Sequence, residues 1–255
     1  MNASRPKIAF FDFAGCEGCQ LTVIDSLQTY PDLLDAVDIV EFREAMSESS
    51  NDYQIAFVEG SCARPSDEDR LRVIRSQADL VIALGACAHI GGVNVIRNSQ
   101  SLPDVRFYVY GEKAEQYETY PARPIGDVIK VDAALPGCPI DGEEFIQAVK
   151  ILLQGNLPSI PDHPVCVECK LRENDCLFQQ GKICLGPIAR AGCDARCPSY
   201  GAPCEACRGL VSDANLGSIR ELILEHAIDP SQADAAMSLF LNHVMMEVEV
   251  HANGR

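Results

Sequence analysis

The chain has 255 residues, 47% of them hydrophobic, with a mean hydropathy near zero, enough to bury one large core and a smaller second one. A formal charge of −16 argues against a nucleic-acid surface, which needs clustered lysine and arginine. No run is long and apolar enough to span a bilayer. The N-terminus enters a first strand without a leader or twin arginine, so a cytoplasmic protein with reduced thiols is expected, and an odd count of 13 cysteines suits no disulfide framework.

In residues 1–155 short apolar runs alternate with helical patterns, the signature of an α/β fold on a doubly wound parallel sheet. Strands are predicted at 7–13, 37–42, 55–59, 80–84 and 129–131, with a further candidate at 106–110. Ser66-Asp67-Glu68-Asp69 has the pattern of a capping box ahead of a helix over 67–78. Asp141 is placed to cap a helix with Phe145, Ile146, Val149 and Leu153 on one face and Gly155 as its stop.

Five cysteines share one address. Cys16 and Cys19 follow the first strand, Cys62 the third, Cys87 the fourth and Cys138 the fifth, each just past a carboxyl end. That edge is where open α/β sheets bind ligands. Gly15, Gly18, Gly85, Gly91, Gly92 and Gly137 permit tight turns that aim N–H groups at an inorganic body, and Pro139 fixes the chain after Cys138. A redox dithiol at Cys16 and Cys19 alone leaves Cys87 and Cys138 without a role.

Residues 156–164 hold Pro158, Pro161 and Pro164 and no periodicity, which predicts a linker between a domain at 1–155 and a second at 165–255. The second domain carries Cys166-x2-Cys169-x6-Cys176-x7-Cys184 and Cys193-x3-Cys197-x6-Cys204-x2-Cys207. Residues 165–210 have few large apolar side chains, so metal–thiolate bonds are expected to supply the folding free energy there. Eight thiols divide into two Cys₄ sets of the kind that hold [4Fe–4S] clusters. Two cross-braced zinc sites fit the count as well, although the outer C-x2-C pairs are 34 residues apart, against about 15–20 in a zinc ribbon. The tail reads as two helices, 216–227 and 231–248.

Gly15-Cys16-Glu17-Gly18-Cys19-Gln20, Val58-Glu59-Gly60-Ser61, Gly85-Ala86-Cys87-Ala88 with Gly91-Gly92, and Leu135-Pro136-Gly137-Cys138-Pro139 resemble, in order, the small subunit of [NiFe] hydrogenases. So do Cys184-Leu185-Gly186-Pro187, Ala191-Gly192-Cys193 and Pro203-Cys204-Glu205-Ala206-Cys207. The resemblance runs from about residue 8 to 210. It implies a flavodoxin-like first domain with a proximal [4Fe–4S] cluster on Cys16, Cys19, Cys87 and Cys138. It also implies a small cysteine-rich, cluster-stabilised domain ending in helices. There Cys166, Cys169, Cys176 and Cys184 serve a distal cluster, and Cys193, Cys197, Cys204 and Cys207 a medial one.

Periplasmic members of that family have a histidine where Cys166 stands and often three medial cysteines. The departures here resemble the cytosolic, bidirectional type. His163 is the competing candidate ligand. The implied function is electron transfer between the NiFe centre of a large subunit, where H₂ ⇌ 2H⁺ + 2e⁻ is catalysed, and a diaphorase-type or ferredoxin-linked partner. Glu17, Glu59 and His89 are candidate interface or proton-handling residues, with a locally satisfied strand-end acid as the plainer role of Glu59, and Cys62 has no assigned role. A quinone-reductase subunit like the cluster-bearing chain of respiratory complex I, a zinc-stabilised scaffold and a free ferredoxin-like carrier are the alternatives.

Overall fold

Five strands, β1 (Lys7–Asp12), β2 (Asp38–Phe42), β3 (Ile55–Glu59), β4 (Leu80–Leu84) and β5 (Ala133–Leu135), form one parallel sheet in the order β2-β1-β3-β4-β5. This is the flavodoxin-like order, and the chain reverses its direction of travel between β1 and β3. The computed structural model describes residues 5–226 and 229–253. The first four residues of the N-terminal stretch and Ala227, the expected end of a tail helix, lie outside them. The chain divides into two compact units, Met1–Ser159 and Ile160–Arg255. Among the described residues no helix is long and apolar enough to cross a membrane.

In the first unit the strands are apolar on both faces, as a covered parallel sheet requires; every residue of β3 is buried. Helices α1 (Gly18–Thr29), α2 (Leu33–Ala36), α3 (Pro65–Gln77), α4 (Gly85–Ile90), α5 (Leu102–Tyr110) and α6 (Gly142–Leu153) connect or cover them. Phe10 stacks between Phe42 and Phe57 at centroid distances of 4.4 and 5.1 Å, and Phe145 of α6 meets Phe57 edge-on at 5.6 Å. These rings anchor the core between α1, α6 and the sheet.

Four local expectations are corrected. The last strand is Ala133–Leu135, not 129–131. Asp132 stops the preceding chain from joining the sheet: its carboxylate accepts the Val81 N–H at 2.9 Å and pairs with Arg75, so pairing with β4 starts at Ala133. The candidate strand 106–110 is part of α5, which has Pro103 in its first turn and no buried residue. β-branched and aromatic residues favour a strand only where a pleated surface receives them. Helix α3 starts at Pro65, with Asp67 rather than Ser66 as the capping side chain, accepting the N–H groups of Ala63 and Arg64 at 3.0 Å. On α6, capped by Asp141 as expected, Leu152 and not Leu153 completes the buried face, because Phe145, Val149 and Leu152 follow the i, i+4, i+7 spacing.

The second unit has little regular structure before its tail: α7 (Val165–Leu171), a 3-10 turn at Leu177–Gln180 and α8 (Arg196–Ser199), followed by α9 (Leu216–Glu225) and α10 (Pro230–Asn253). Its apolar core is nevertheless real. Ile219 and Ile223 of α9 and Met237 and Leu241 of α10 share a cluster with Val165, Leu177, Phe178, Leu185 and Ile188. The tail helices thus pack back and supply apolar surface that residues 165–210 lack.

Phe57→Ala is expected to cost about 3–5 kcal/mol of stability. Phe107→Ala, at an exposed ring on α5, should change it by less than about 0.5 kcal/mol. Denaturant unfolding of both variants checks the contrast.

Candidate metal-binding sites

At the carboxyl edge of the sheet, three turns bring four thiols together. After β1 the chain passes Cys16 and turns at Glu17, whose φ of +60° starts α1. This seats Cys19 in the first helical turn, buried, while Cys16 stays exposed. After β4, Gly85 at φ +82° swings the chain directly into α4, which carries the half-buried Cys87. After β5 the Pro136–Pro139 turn presents Cys138, exposed.

The thiols feel one another. Burial pushes the Cys19 thiol well above the ordinary range, and Glu59, Cys87 and Cys138 push it further. Cys87 is pushed up to about 12, by burial first and then by Cys138, Cys16 and Glu59. Backbone amides offset part of this: that of Ile140 bonds the Cys19 sulfur and that of Val93 the Cys87 sulfur. Two glycines make the approach possible. A Cβ on Gly85 would collide with Cys19 Sγ, and one on Gly92 would lie 2.5 Å from Cys87 Sγ.

Glu59, at the end of β3, is buried and accepts the N–H groups of Cys19 at 3.1 Å and Gln20 at 2.9 Å. Burial still raises its carboxyl above the usual range despite those bonds. It therefore holds the first turn of α1, and with it Cys19, in place. Glu17 and His89 are half-buried near the same edge.

Cys62 stands apart. It is fully buried, its sulfur lies 2.8 Å from Tyr120 Oη, and its backbone pairs with Arg123 at 2.9 and 3.0 Å. Burial raises its thiol, the hydrogen bond with Tyr120 lowers it in part, and Asp67, Arg123 and Glu68 also act on it. Nothing in the sequence pointed to Tyr120, which follows a stretch without periodicity.

In motif order the second unit's eight cysteines make the two sets that the resemblance implies, and the thiols interact within and across them. Cys166 and Cys169 lie on successive turns of α7, and Cys176 and Cys184 flank the 3-10 turn. Cys166 is pushed up to about 11 by burial and then by Cys184, Cys169 and Cys176. Gly186 packs against this set; a Cβ there would lie 3.3 Å from Cys166 Sγ and 3.5 Å from Cys184 Sγ. Cys204 is driven well up by burial, with Cys184, Cys207 and Cys193 adding to it. Cys197 is raised by burial and by Cys193. Glu168 of α7 joins the sets by accepting the N–H groups of Gly192 at 2.6 Å and Ala195 at 3.0 Å, which shapes the loop carrying Cys193. His163 is exposed, and its carbonyl accepts the Ala191 N–H at 2.9 Å.

The donor chemistry fits iron–sulfur clusters. Buried thiols that repel one another's negative charge give up their protons when a bound cationic group replaces them. Among the described residues no three or more His, Cys, Asp or Glu side chains stand close enough to hold one bare metal ion.

Residues 16–152 match the family described as NADH ubiquinone oxidoreductase, 20 Kd subunit. The chain is 37% identical over 222 residues to the sulfhydrogenase 2 subunit delta of Pyrococcus furiosus, covering 86% of this chain and 92% of that one. It is 31% identical over 254 residues to one of the subunits of the vhu F420-non-reducing hydrogenase of Methanocaldococcus jannaschii, covering 87% and 88%. Among solved structures, a chain of an NAD+-reducing [NiFe]-hydrogenase in the H2-reduced state superposes with a TM-score of 0.56 at 26% identity, over 62% of this chain and 96% of that chain.

Gly85→Ala is expected to lower the metal content of the N-terminal unit, since the new methyl group collides with Cys19 Sγ. Cys62→Ala should leave metal content unchanged. Elemental analysis of the two purified variants for iron and zinc distinguishes them.

Proposed function

The chain belongs to the hydrogenase small subunits, within the wider family of the NADH ubiquinone oxidoreductase 20 Kd subunit, and from that membership we propose that it is the iron–sulfur electron-transfer subunit of a cytoplasmic [NiFe] hydrogenase. The observation that supports the reading is that cysteines far apart in sequence interact: Cys19 and Cys87 with Cys138, Cys166 with Cys184, Cys169 and Cys176, and Cys204 with Cys184, Cys207 and Cys193.

By this reading Cys16, Cys19, Cys87 and Cys138 hold a proximal [4Fe–4S] cluster. Cys166, Cys169, Cys176 and Cys184 hold the distal one, and Cys193, Cys197, Cys204 and Cys207 the medial one. Such clusters supply one-electron relays for the reaction H₂ ⇌ 2H⁺ + 2e⁻ at a separate large subunit. The chain's own residues do the rest. The thiolates would anchor the irons, the amides of Ile140, Val93, Gly186 and Ala206 act on ligand sulfurs, and burial shields Cys19 and Cys184 from water. Glu59 fixes the helix turn that carries Cys19.

By the same reading the sheet edge, where Cys16 and Cys138 are exposed, is the face a large subunit would cover, with Glu17 and His89 near it. A diaphorase-type or ferredoxin-linked partner would take electrons from the cysteine-rich unit. Both relatives are named as subunits of hydrogenases, which supports such a multi-subunit setting.

The quinone-reductase reading draws on the family match alone, which ends at residue 152. The hydrogenase relatives continue over most of the chain, including its eight-cysteine segment.

Anaerobic purification from the native host should yield a brown protein with about twelve irons per chain, together with a larger nickel-containing subunit. A colourless chain with stoichiometric zinc, or an iron-loaded chain that copurifies with no nickel protein, overturns the assignment.

A further inference from the structure

Just past α7 the backbone folds back on itself. The Asn174 N–H donates to the Cys169 carbonyl at 3.1 Å, and Glu173 before it adopts a left-handed φ of +57°. This hook brings the half-buried Asn174 side chain over the sulfur of Cys169, to which Nδ2 donates at 3.7 Å. The same Nδ2 donates to Ser199 Oγ at 3.0 Å. Ser199 in turn donates to the Ala195 carbonyl at 3.0 Å and closes α8, the short helix that carries Cys197. A second bond runs between the same two sets of thiols: the Cys204 N–H donates to Cys184 Sγ at 3.2 Å.

We propose that Asn174 is a positioning residue that sets the reduction potential of the cluster held by Cys166, Cys169, Cys176 and Cys184, by donating its amide hydrogen to the Cys169 sulfur while Ser199 holds that amide in place. The proposal rests on the cluster reading given above. The physical reason is electrostatic. Reduction adds negative charge that is shared with the ligand sulfurs, and a donor aimed at one of them stabilises the reduced form more than the oxidised form. The donor therefore raises the potential.

The position of the bond suits this task. Cys176 of the same set is exposed, so part of this site faces solvent. Two of its four sulfurs, those of Cys169 and Cys184, receive N–H groups from residues that also anchor the neighbouring set. The arrangement links the ligands of one site rigidly to the frame of the other. The other donors to ligand sulfurs named above are backbone amides, whereas Asn174 is a side chain and can be exchanged without altering the main chain.

The test is a redox titration of the intact, anaerobically purified complex followed by electron paramagnetic resonance, with iron analysis in parallel. Asn174→Ala removes the donor, and Asn174→Asp keeps its shape while replacing the donor by an acceptor. In both variants one cluster should become about tenfold harder to reduce, a downward shift of about 59 mV for a one-electron couple, with the larger shift in Asn174→Asp. It should be the same cluster whose signal Cys169→Ser moves or abolishes, and the other midpoints should hold. Unchanged midpoints at full iron content overturn the proposal and leave the cluster reading standing. Loss of about four irons from both variants makes Asn174 a purely structural residue and also overturns it. A wild-type chain without iron overturns the cluster reading itself.

Discussion

A sulfur buried among apolar side chains keeps its proton unless positive charge sits beside it, and the cysteine-bearing loops of this protein are organised around that exchange. Cys19, Cys87, Cys166 and Cys204 are all held where burial raises their thiols, and in each case the neighbours that raise them further include other cysteines. No arrangement of this kind is stable as a set of bare thiolates. In the function proposed above, iron would supply the positive charge, and with it part of the free energy that keeps short, glycine- and proline-rich loops in one conformation.

The two units meet this constraint by different means. In the first, a parallel sheet of ordinary flavodoxin-like order does the positioning. The reversal between β1 and β3 opens the crevice, the ends of β1, β4 and β5 deliver the thiols, and the buried Glu59 ties the first turn of α1 to β3. The aromatic stack of Phe10, Phe42, Phe57 and Phe145 makes that platform rigid independently of any metal. In the second unit the thiols lie within the core cluster itself: Cys169, Cys184, Cys193 and Cys204 pack with Leu185, Ile188 and the tail helices. There the polar clasps of Glu168, Asn174 and the Cys204 amide take the place that a sheet holds in the first unit.

Much of this was legible in the chain, and the errors have physical causes. Apolar runs marked β1 to β4 because buried parallel strands need them on both faces. The fifth strand was displaced because Ile129 and Val131 alternate about Lys130 as a strand's residues do, beside the apolar 133–135, and the choice fell to Asp132, whose carboxylate is used by Val81 and Arg75 from another part of the fold. The aromatic run of α5 imitates a strand because β-propensity measures fit to a surface, and no surface reaches it. The placement of Cys16, Cys19, Cys87 and Cys138 just past strand ends was readable from the apolar runs and the turns that follow them. Asn174 and Tyr120 were not, since an asparagine in a turn and a tyrosine in a loop look the same whether or not a sulfur lies nearby.

The amino-acid sequence by itself determined the parallel α/β architecture, the placement of thiols after strand ends and the eight-cysteine segment, because each is written in local pattern: hydrophobic period, turn residues and ligand spacing. Only the tertiary structure decided that Cys62 is buried against Tyr120, that Glu59 serves the helix turn carrying Cys19, and that Asn174 reaches the Cys169 sulfur. Those facts depend on residues distant in sequence, or on one backbone turn, meeting within hydrogen-bond range. Local pattern carries no record of such meetings.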